Sequence, residues 1–215
     1  MSILERSMYS GQNFYLEIEG HEIAYYDRKT DAEQGRINMI TGKSINWYSA
    51  TLCKNIIAKL KEKRESVVCV LGGAVGAIPY ELMTFLPRVN VVTVDIDPES
   101  IEVLKYVTLH KFGSRSTVVA QDAQLFVKQC GADMFDCIVV DIFDGQSMPS
   151  FIFAPAFIKA CLRVIKVGGF LLTNIIAAGG DNQYGDILHS LRINYKHTEK
   201  IFSNGQANIL YEVKK

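Results

Sequence analysis

Asp141 and Asp144 stand three residues apart in the segment VVDIFDGQSMP, where a strongly apolar run gives way to a loop bearing glycine and proline. Two carboxylates aimed at one mouth repel each other unless a cation or a proton lies between them. No lysine or arginine occurs between Gly131 and Lys159, so no cation is at hand in the local sequence and a cationic ligand is the partner expected. The plainer alternative is a pair of loop aspartates, one of them closing an Asx-turn.

Three further segments place polar or small residues at the ends of apolar runs. LGGAVGA, with Gly72, Gly73 and Gly76, lets the backbone turn sharply and approach a ligand, although such a turn also serves tight strand–helix packing. Asp95 ends the next run, VVTVDID, about 20 residues beyond that turn, the offset at which a carboxylate accepts hydrogen bonds from a ribose diol. A carboxylate inside an apolar run needs a reason, and with the glycine turn it predicts a nucleoside site; Ile96 follows it directly. Asp97, just before Pro98, is expected to cap the next helix. Asp122 in QDA either caps the following helix or accepts a bond from an adenine amino group, with Ala123 beside it, and the two roles are compatible.

These residues need a scaffold. Apolar runs (VVCVLGG, NVVTVDID, STVVAQD, FDCIVVD, GGFLLTNII) alternate with helical patterns (AIPYELMTFL, PESIEVLKYVTLHKF, AQLFVKQC, SFIFAPAFIKACLRVI, YGDILHSLRI) at least five times. That order predicts an α/β fold: a Rossmann-like, mostly parallel seven-stranded sheet with helices on both faces. Ligands of such sheets bind outside the carboxyl ends of the strands, where the candidate residues fall. A helix is expected from Ser44 as its cap, with Ile45, Tyr48, Leu52, Ile56, Ile57 and Leu60 at helical spacing. The last twenty residues predict a hairpin around Asn204-Gly205. Residues 1–43 form a small β appendage, with a hairpin around Gly20-His21 and a short strand at 35–40, and residues 44–215 form the nucleoside-binding domain.

Composition narrows the function. The 215 residues are 48% hydrophobic and 21% charged, with 23 Lys+Arg against 23 Asp+Glu, so the chain has none of the basic excess of nucleic-acid binders. No stretch approaches the ~20 apolar residues of a membrane span, and no leader is visible, so a cytoplasmic protein without membrane contact is expected. The five cysteines lack a C-x-x-C pair and several sit in apolar runs, as reduced, buried residues would. The four histidines show no ligand spacing, and no metal is expected.

In order, LGGAVGA, VVTVDID, QDAQLFV, FDCIVVDIFDGQSMP, IKVGGFLLTN and FSNGQANIL resemble spermidine synthase and related polyamine aminopropyltransferases, which share the class I S-adenosylmethionine-dependent methyltransferase fold. The resemblance runs from about Gly11 to the C-terminus. It implies that the backbone near Gly72, Gly73 and Gly76 cradles the nucleoside's tail, that Asp95 holds the ribose and Asp122 the adenine, and that Ile96 and Ala123 belong to the same pocket. It implies further that Asp141 takes the proton of, or orients, the attacking amine, that Asp144 anchors the far ammonium, and that Tyr48 and Gln206 line the substrate side. The chain departs from the family pattern at Val75, where the family carries an aspartate for the amine of decarboxylated S-adenosylmethionine, at Ser49, at Phe202, and in the shortened stretch after Asn174.

The expected activity is therefore aminopropyl transfer from decarboxylated S-adenosylmethionine, or use of intact S-adenosylmethionine, on a small polyamine amine. The alternatives are a methyltransferase, which Val75 favours, and a non-catalytic nucleoside-binding relative. Relatives often pair, so a homodimer is possible.

Overall fold

The computed structural model describes residues 7–145, 147–177, 183–203 and 206–215. The chain opens with a four-stranded antiparallel sheet, β1 (Ser7–Ser10), β2 (Phe14–Glu19), β3 (Glu22–Asp27) and β4 (Glu33–Asn38). The hairpin expected around Gly20 is present, with Glu19 opposite Glu22 and Gly20 at φ +60°. The next strand starts at Glu33 and ends at Asn38, short of the predicted 40, because the Asn38 side chain accepts the Ile40 and Thr41 N–H groups and turns the chain. Leu16, Ile23, Tyr25 and Ile37 of this sheet pack in the same apolar cluster as Leu52, Val68 and Leu82.

Helix α1 (Trp47–Leu60) buries Leu52, Cys53, Ile56 and Leu60. Its cap is Asn46, not Ser44. Asn46 turns its side chain away from the helix, taking the Arg36 N–H at 2.6 Å and donating to Glu33 at 2.9 Å, while the Ser44 N–H donates to the buried Glu81 carboxylate at 2.6 Å. Tertiary partners outcompete the local cap, and they leave Ile45 largely exposed.

The central sheet holds β5 (Ser66–Leu71), β6 (Val89–Asp95), β7 (Ser116–Ala120), β8 (Phe135–Val140), β9 (Ile165–Ala177), β10 (Tyr195–Ser203) and β11 (Gln206–Lys214). Their order is β10-β11-β9-β8-β5-β6-β7, with only β11 antiparallel to its neighbours. Alternate residues face two cores: Val68, Val70, Cys137 and Val139 on one side, Cys69, Leu71, Ile138 and Val140 on the other. Burial on both faces is why these strands read as unbroken apolar runs. Four of the five cysteines are buried in these cores as free thiols.

The helices are α2 (Ala77–Phe85), α3 (Pro98–Leu104), α4 (His110–Phe112), α5 (Ala123–Gln129), α6 (Pro155–Val164) and α7 (Gln183–Ser190). Two predicted helices are broken. Between α3 and α4 the chain passes through a π-helical turn at Lys105–Leu109. The segment SFIFAPAF is a 3₁₀ turn at Ser150–Phe153 followed by α6, because Pro155 holds Ala154 extended at ψ 131°. From β5 the chain winds outward through β6 and β7, then returns to β8 on the other side of β5. The strand order therefore reverses between β5 and β8, and a crevice opens there.

Candidate active site

Strand ends β5, β6 and β8 are tied together at that crevice. The Gly72 N–H donates to Val94 at 2.9 Å and the Asp141 N–H to Leu71 at 2.8 Å. Gly72 has φ +92°, and a Cβ there would stand 2.0 Å from the Asp141 carbonyl oxygen. Only glycine fits both demands. At Gly73 a Cβ would meet Leu104 at 2.4 Å. Gly76 starts α2 at φ +82° and faces Leu104 and Thr108, behind the turn.

A cleft of about 800 Å³ opens above these strand ends. Tyr48, Gly72, Gly73, Asp95, Ile96, Asp122, Ala123, Asp141 and Asp144 all line it, so residues spread over nearly a hundred positions of sequence meet in one place. Gln206 begins β11 opposite Ser203, and its side chain lies outside the described residues, as does Gln146 of the Asp144 loop.

Asp95 takes the Gly73 N–H at 2.7 Å and the Asp97 N–H at 2.9 Å, one on each carboxylate oxygen. Burial pushes its carboxyl up from the ordinary range, and these N–H groups pull it back. The Ala74 N–H also bonds this carboxylate, which still keeps acceptor capacity for a hydroxyl. Asp97 caps α3 as expected, accepting the Glu99 and Ser100 N–H groups. Asp122 caps α5 through the Leu125 N–H at 2.9 Å and also faces the cleft, so the two roles suggested for it coexist in position. Beside Asp95, Ile96 is 72% exposed, an apolar side chain standing in the cleft with no protein packed over it.

Asp141 sits deepest. Burial pushes its carboxyl up to about 6, partly offset by the Asn174 side-chain N–H at 2.8 Å. Asn174, 1% exposed on β9, in turn accepts from the Asn208 amide of β11 at 2.9 Å. The Tyr48 hydroxyl donates to the Gln34 carbonyl at 3.2 Å, and burial, with the charges of Asp141 and Glu33, holds it protonated well above its ordinary range. Asp144 is exposed in a tight turn that Ser147 closes by backbone bonds at 2.8 and 3.0 Å.

The N-terminal sheet forms the opposite wall, which the sequence did not announce. Phe14, Tyr25, Asp27, Arg28, Lys29 and Gln34 all face the cleft. Arg28 and Lys29 bring cations to the cleft from more than a hundred residues away, where the local sequence around Asp141 and Asp144 has none. The sheet is anchored by Glu99, whose carboxylate accepts the Gln12, Asn13 and Phe14 N–H groups, and by a Tyr25–Ser100 hydroxyl bond of 2.7 Å. Gln34 holds the Asp144 turn by donating to the Gly145 carbonyl at 3.1 Å. Phe151 both stacks edge-on against Phe157 and lines the cleft. Val75 is fully buried with its side chain against Gly35, so no carboxylate enters from the glycine turn at that position.

Strand order, helices on both faces and a crevice at the switch define a Rossmann-like fold of the class I methyltransferase type. The structure superposes on a probable spermidine synthase from Corynebacterium glutamicum with a TM-score of 0.80 at 15% identity, covering 98% of this chain and 80% of that one. It also superposes on a spermidine synthase in complex with the transition-state analogue AdoDATO, with a TM-score of 0.65 at 14% identity over 97% of this chain and 73% of that one. In sequence the chain is 25% identical to a polyamine aminopropyltransferase of Prochlorococcus marinus, over 77% of this chain and 60% of that protein, and 26% identical to putrescine N-methyltransferase 2 of Nicotiana tabacum, over 49% and 31%. The spermine/spermidine synthase domain profile matches residues 48–177, and the chain belongs to that family. It spans about 60% of the length of the first of these curated relatives.

Proposed function

We propose that the protein transfers an aminopropyl group from decarboxylated S-adenosylmethionine to a small polyamine amine, with Asp141 as the base. The observation that carries this is the convergence of Asp95, Asp141 and Asp144 on one cleft whose deepest carboxyl is raised to about 6. The residues fit an adenosine. Asp95 has free lone pairs for ribose hydroxyls, Ile96 offers an uncovered apolar face for a purine, and Asp122 lies at the same rim. The bound sulfonium supplies a carbon already activated by the neighbouring positive charge.

What remains for the protein is alignment, exclusion of water and management of one proton. Asp144, at the exposed end, holds the far ammonium of a diamine, and Tyr48 walls the chain between. Asp141 takes a proton from the near ammonium and frees its lone pair. The nitrogen–carbon bond then forms as the carbon–sulfur bond breaks, and the sulfur leaves with the bonding pair as a neutral thioether. A base near 6 is ionised at neutral pH and basic enough to accept a share of that proton.

Val75 supports a second reading, methyl transfer from intact S-adenosylmethionine, because no side-chain carboxylate stands there to meet an amine or repel a carboxylate. Calorimetry with S-adenosylmethionine, its decarboxylated form and methylthioadenosine, followed by turnover assays on diamines, tests both. Tighter binding of the decarboxylated form with aminopropylated product supports the first. Methylated product supports the second, and binding of none of the three nucleosides overturns both.

A further inference from the structure

We propose that Asn208 is a positioning residue that fixes which end of the Asn174 amide faces Asp141. This rests on the reading of Asp141 as the base. Three side chains form a line across adjacent strands: Asn208 of β11 donates to the Asn174 carbonyl oxygen at 2.9 Å, and Asn174 of β9 donates to Asp141 at 2.8 Å. Strand register creates the line, since β11 and β9 pair antiparallel with Asn208 opposite Ile176, and β8 delivers Asp141 beside β9.

An amide has a donor end and an acceptor end of nearly equal shape. Were Asn174 turned over, its carbonyl oxygen would face the Asp141 carboxylate, and only a protonated Asp141 could satisfy that contact. Asn174 is buried, so each of its ends must find a partner in the protein. Asn208 supplies the donor that occupies the carbonyl and thereby commits the amide N–H to the ionised form of the base. Asn208 itself is only partly buried, at the rim of β11, so it can be changed without opening the core.

Other groups around Asp141 cannot do this. Tyr48 and Cys53 come from α1, both held protonated by burial. Asp95 from β6 and Asp144 from the same loop as Asp141 are carboxylates and offer it no donor when ionised. Across the cleft, Asp27, Arg28 and Lys29 of the N-terminal sheet line the same space, but the side-chain donor described on the Asp141 carboxylate is that of Asn174.

Two variants test the line. Asn208→Leu removes the donor, and Asn208→Asp replaces it with an acceptor that draws the Asn174 N–H toward itself and turns its carbonyl to Asp141. The Asp141 side-chain carboxyl is followed by carbon NMR in uniformly aspartate-labelled protein, with Asp141→Asn identifying its signal. The titration is expected to move alkaline by about one pH unit in Asn208→Leu, the worth of one hydrogen bond to the charged form, and further in Asn208→Asp. On the active enzyme the same shift appears in the acid limb of kcat, with the plateau at high pH kept in Asn208→Leu. An Asp141 titration unmoved in both folded variants overturns the proposal. Because the NMR titration needs no substrate, it remains decisive even where no amine is turned over and the functional reading itself fails.

Discussion

Asp141→Asn separates what the fold wants from what the chemistry wants. A carboxyl of ordinary value 3.8 raised to about 6 by burial is a group whose ionised form the folded protein disfavours. At about 1.4 kcal/mol per tenfold change in proton affinity, the difference amounts to about 3 kcal/mol, reduced to about 2 by the water that reaches the carboxylate from the cleft. Because the folded-state value lies above the unfolded one, this penalty is absent below about pH 4, grows between about 4 and 6, and is complete at higher pH. Asparagine is uncharged and nearly isosteric, and its carbonyl can still accept from Asn174. The variant is therefore expected to be more stable than the parent by about 2 kcal/mol at pH 7.5, a rise in Tm of about 4–8 °C for a chain of this size. The gain should vanish near pH 4. Thermal melts of both proteins across pH 4 to 8, run beside turnover assays, measure it. Equal stability at every pH, or a variant less stable at pH 7.5, refutes the account of a strained base; undiminished turnover refutes its role.

Three further perturbations probe the parts that hold the cleft. Gly72→Ala places a Cβ 2.0 Å from the Asp141 carbonyl at a φ of +92°, and is expected to cost about 3 kcal/mol or more, seen as a Tm lower by at least about 6 °C. Glu99 is held below its ordinary value by the Gln12, Asn13 and Phe14 N–H groups, which outweigh its burial, so its grip on the N-terminal sheet is present at neutral pH and lost as pH falls through that lowered value. Glu99→Ala should make the β1–β2 segment cleavable by a protease at neutral pH, whereas the parent becomes so only in acid. Val75→Asp introduces a carboxylate into the glycine turn; the ratio of binding constants should move at least about tenfold toward decarboxylated over intact S-adenosylmethionine, with a lower Tm because the site is fully buried.

The half of the cleft built by the central sheet was legible because each of its residues ends an apolar run. Strand burial writes itself as composition, and a carboxylate at the end of such a run, as at Asp95 and Asp141, stands out against it. The caps at Asp97 and Asp122 were equally readable, being local. Interactions that span the chain were not. Ser44 lost its capping role to Glu81, 37 residues away, and the Glu99 clamp on Gln12, Asn13 and Phe14 joins positions more than 80 apart through backbone N–H groups that carry no sequence signature. The alternation of β2 and β3 announced a sheet but not which edge of it would face the strand ends. Asn174 and Asn208 sit in strands whose hydrophobic pattern gives no hint that their amides meet.

The charge of the cleft decides what it can hold. Asp27, Asp95, Asp97, Asp122, Asp141 and Asp144 face it, against Arg28 and Lys29, in a chain whose total charge is zero. Arg28 is already engaged, donating to the Gly11 carbonyl at 3.1 Å and lying over the Tyr15 ring. Of the carboxylates, Asp97 and Asp122 cap helices, Asp95 accepts the Gly73 and Asp97 N–H groups, and Asp27 accepts the Thr30 N–H and hydroxyl. Asp141 and Asp144 remain as the pair facing the inner and outer ends of one wall, and the Asp144 turn is fixed to the N-terminal sheet through Gln34. An anionic acceptor entering between them would meet repulsion at both ends, while a diamine would neutralise both and bring its near nitrogen to Asp141, whose carboxyl burial raises to about 6. In the proposed reaction, substrate polarity and the choice of reacting nitrogen would both follow from the same difference in burial between two aspartates three residues apart.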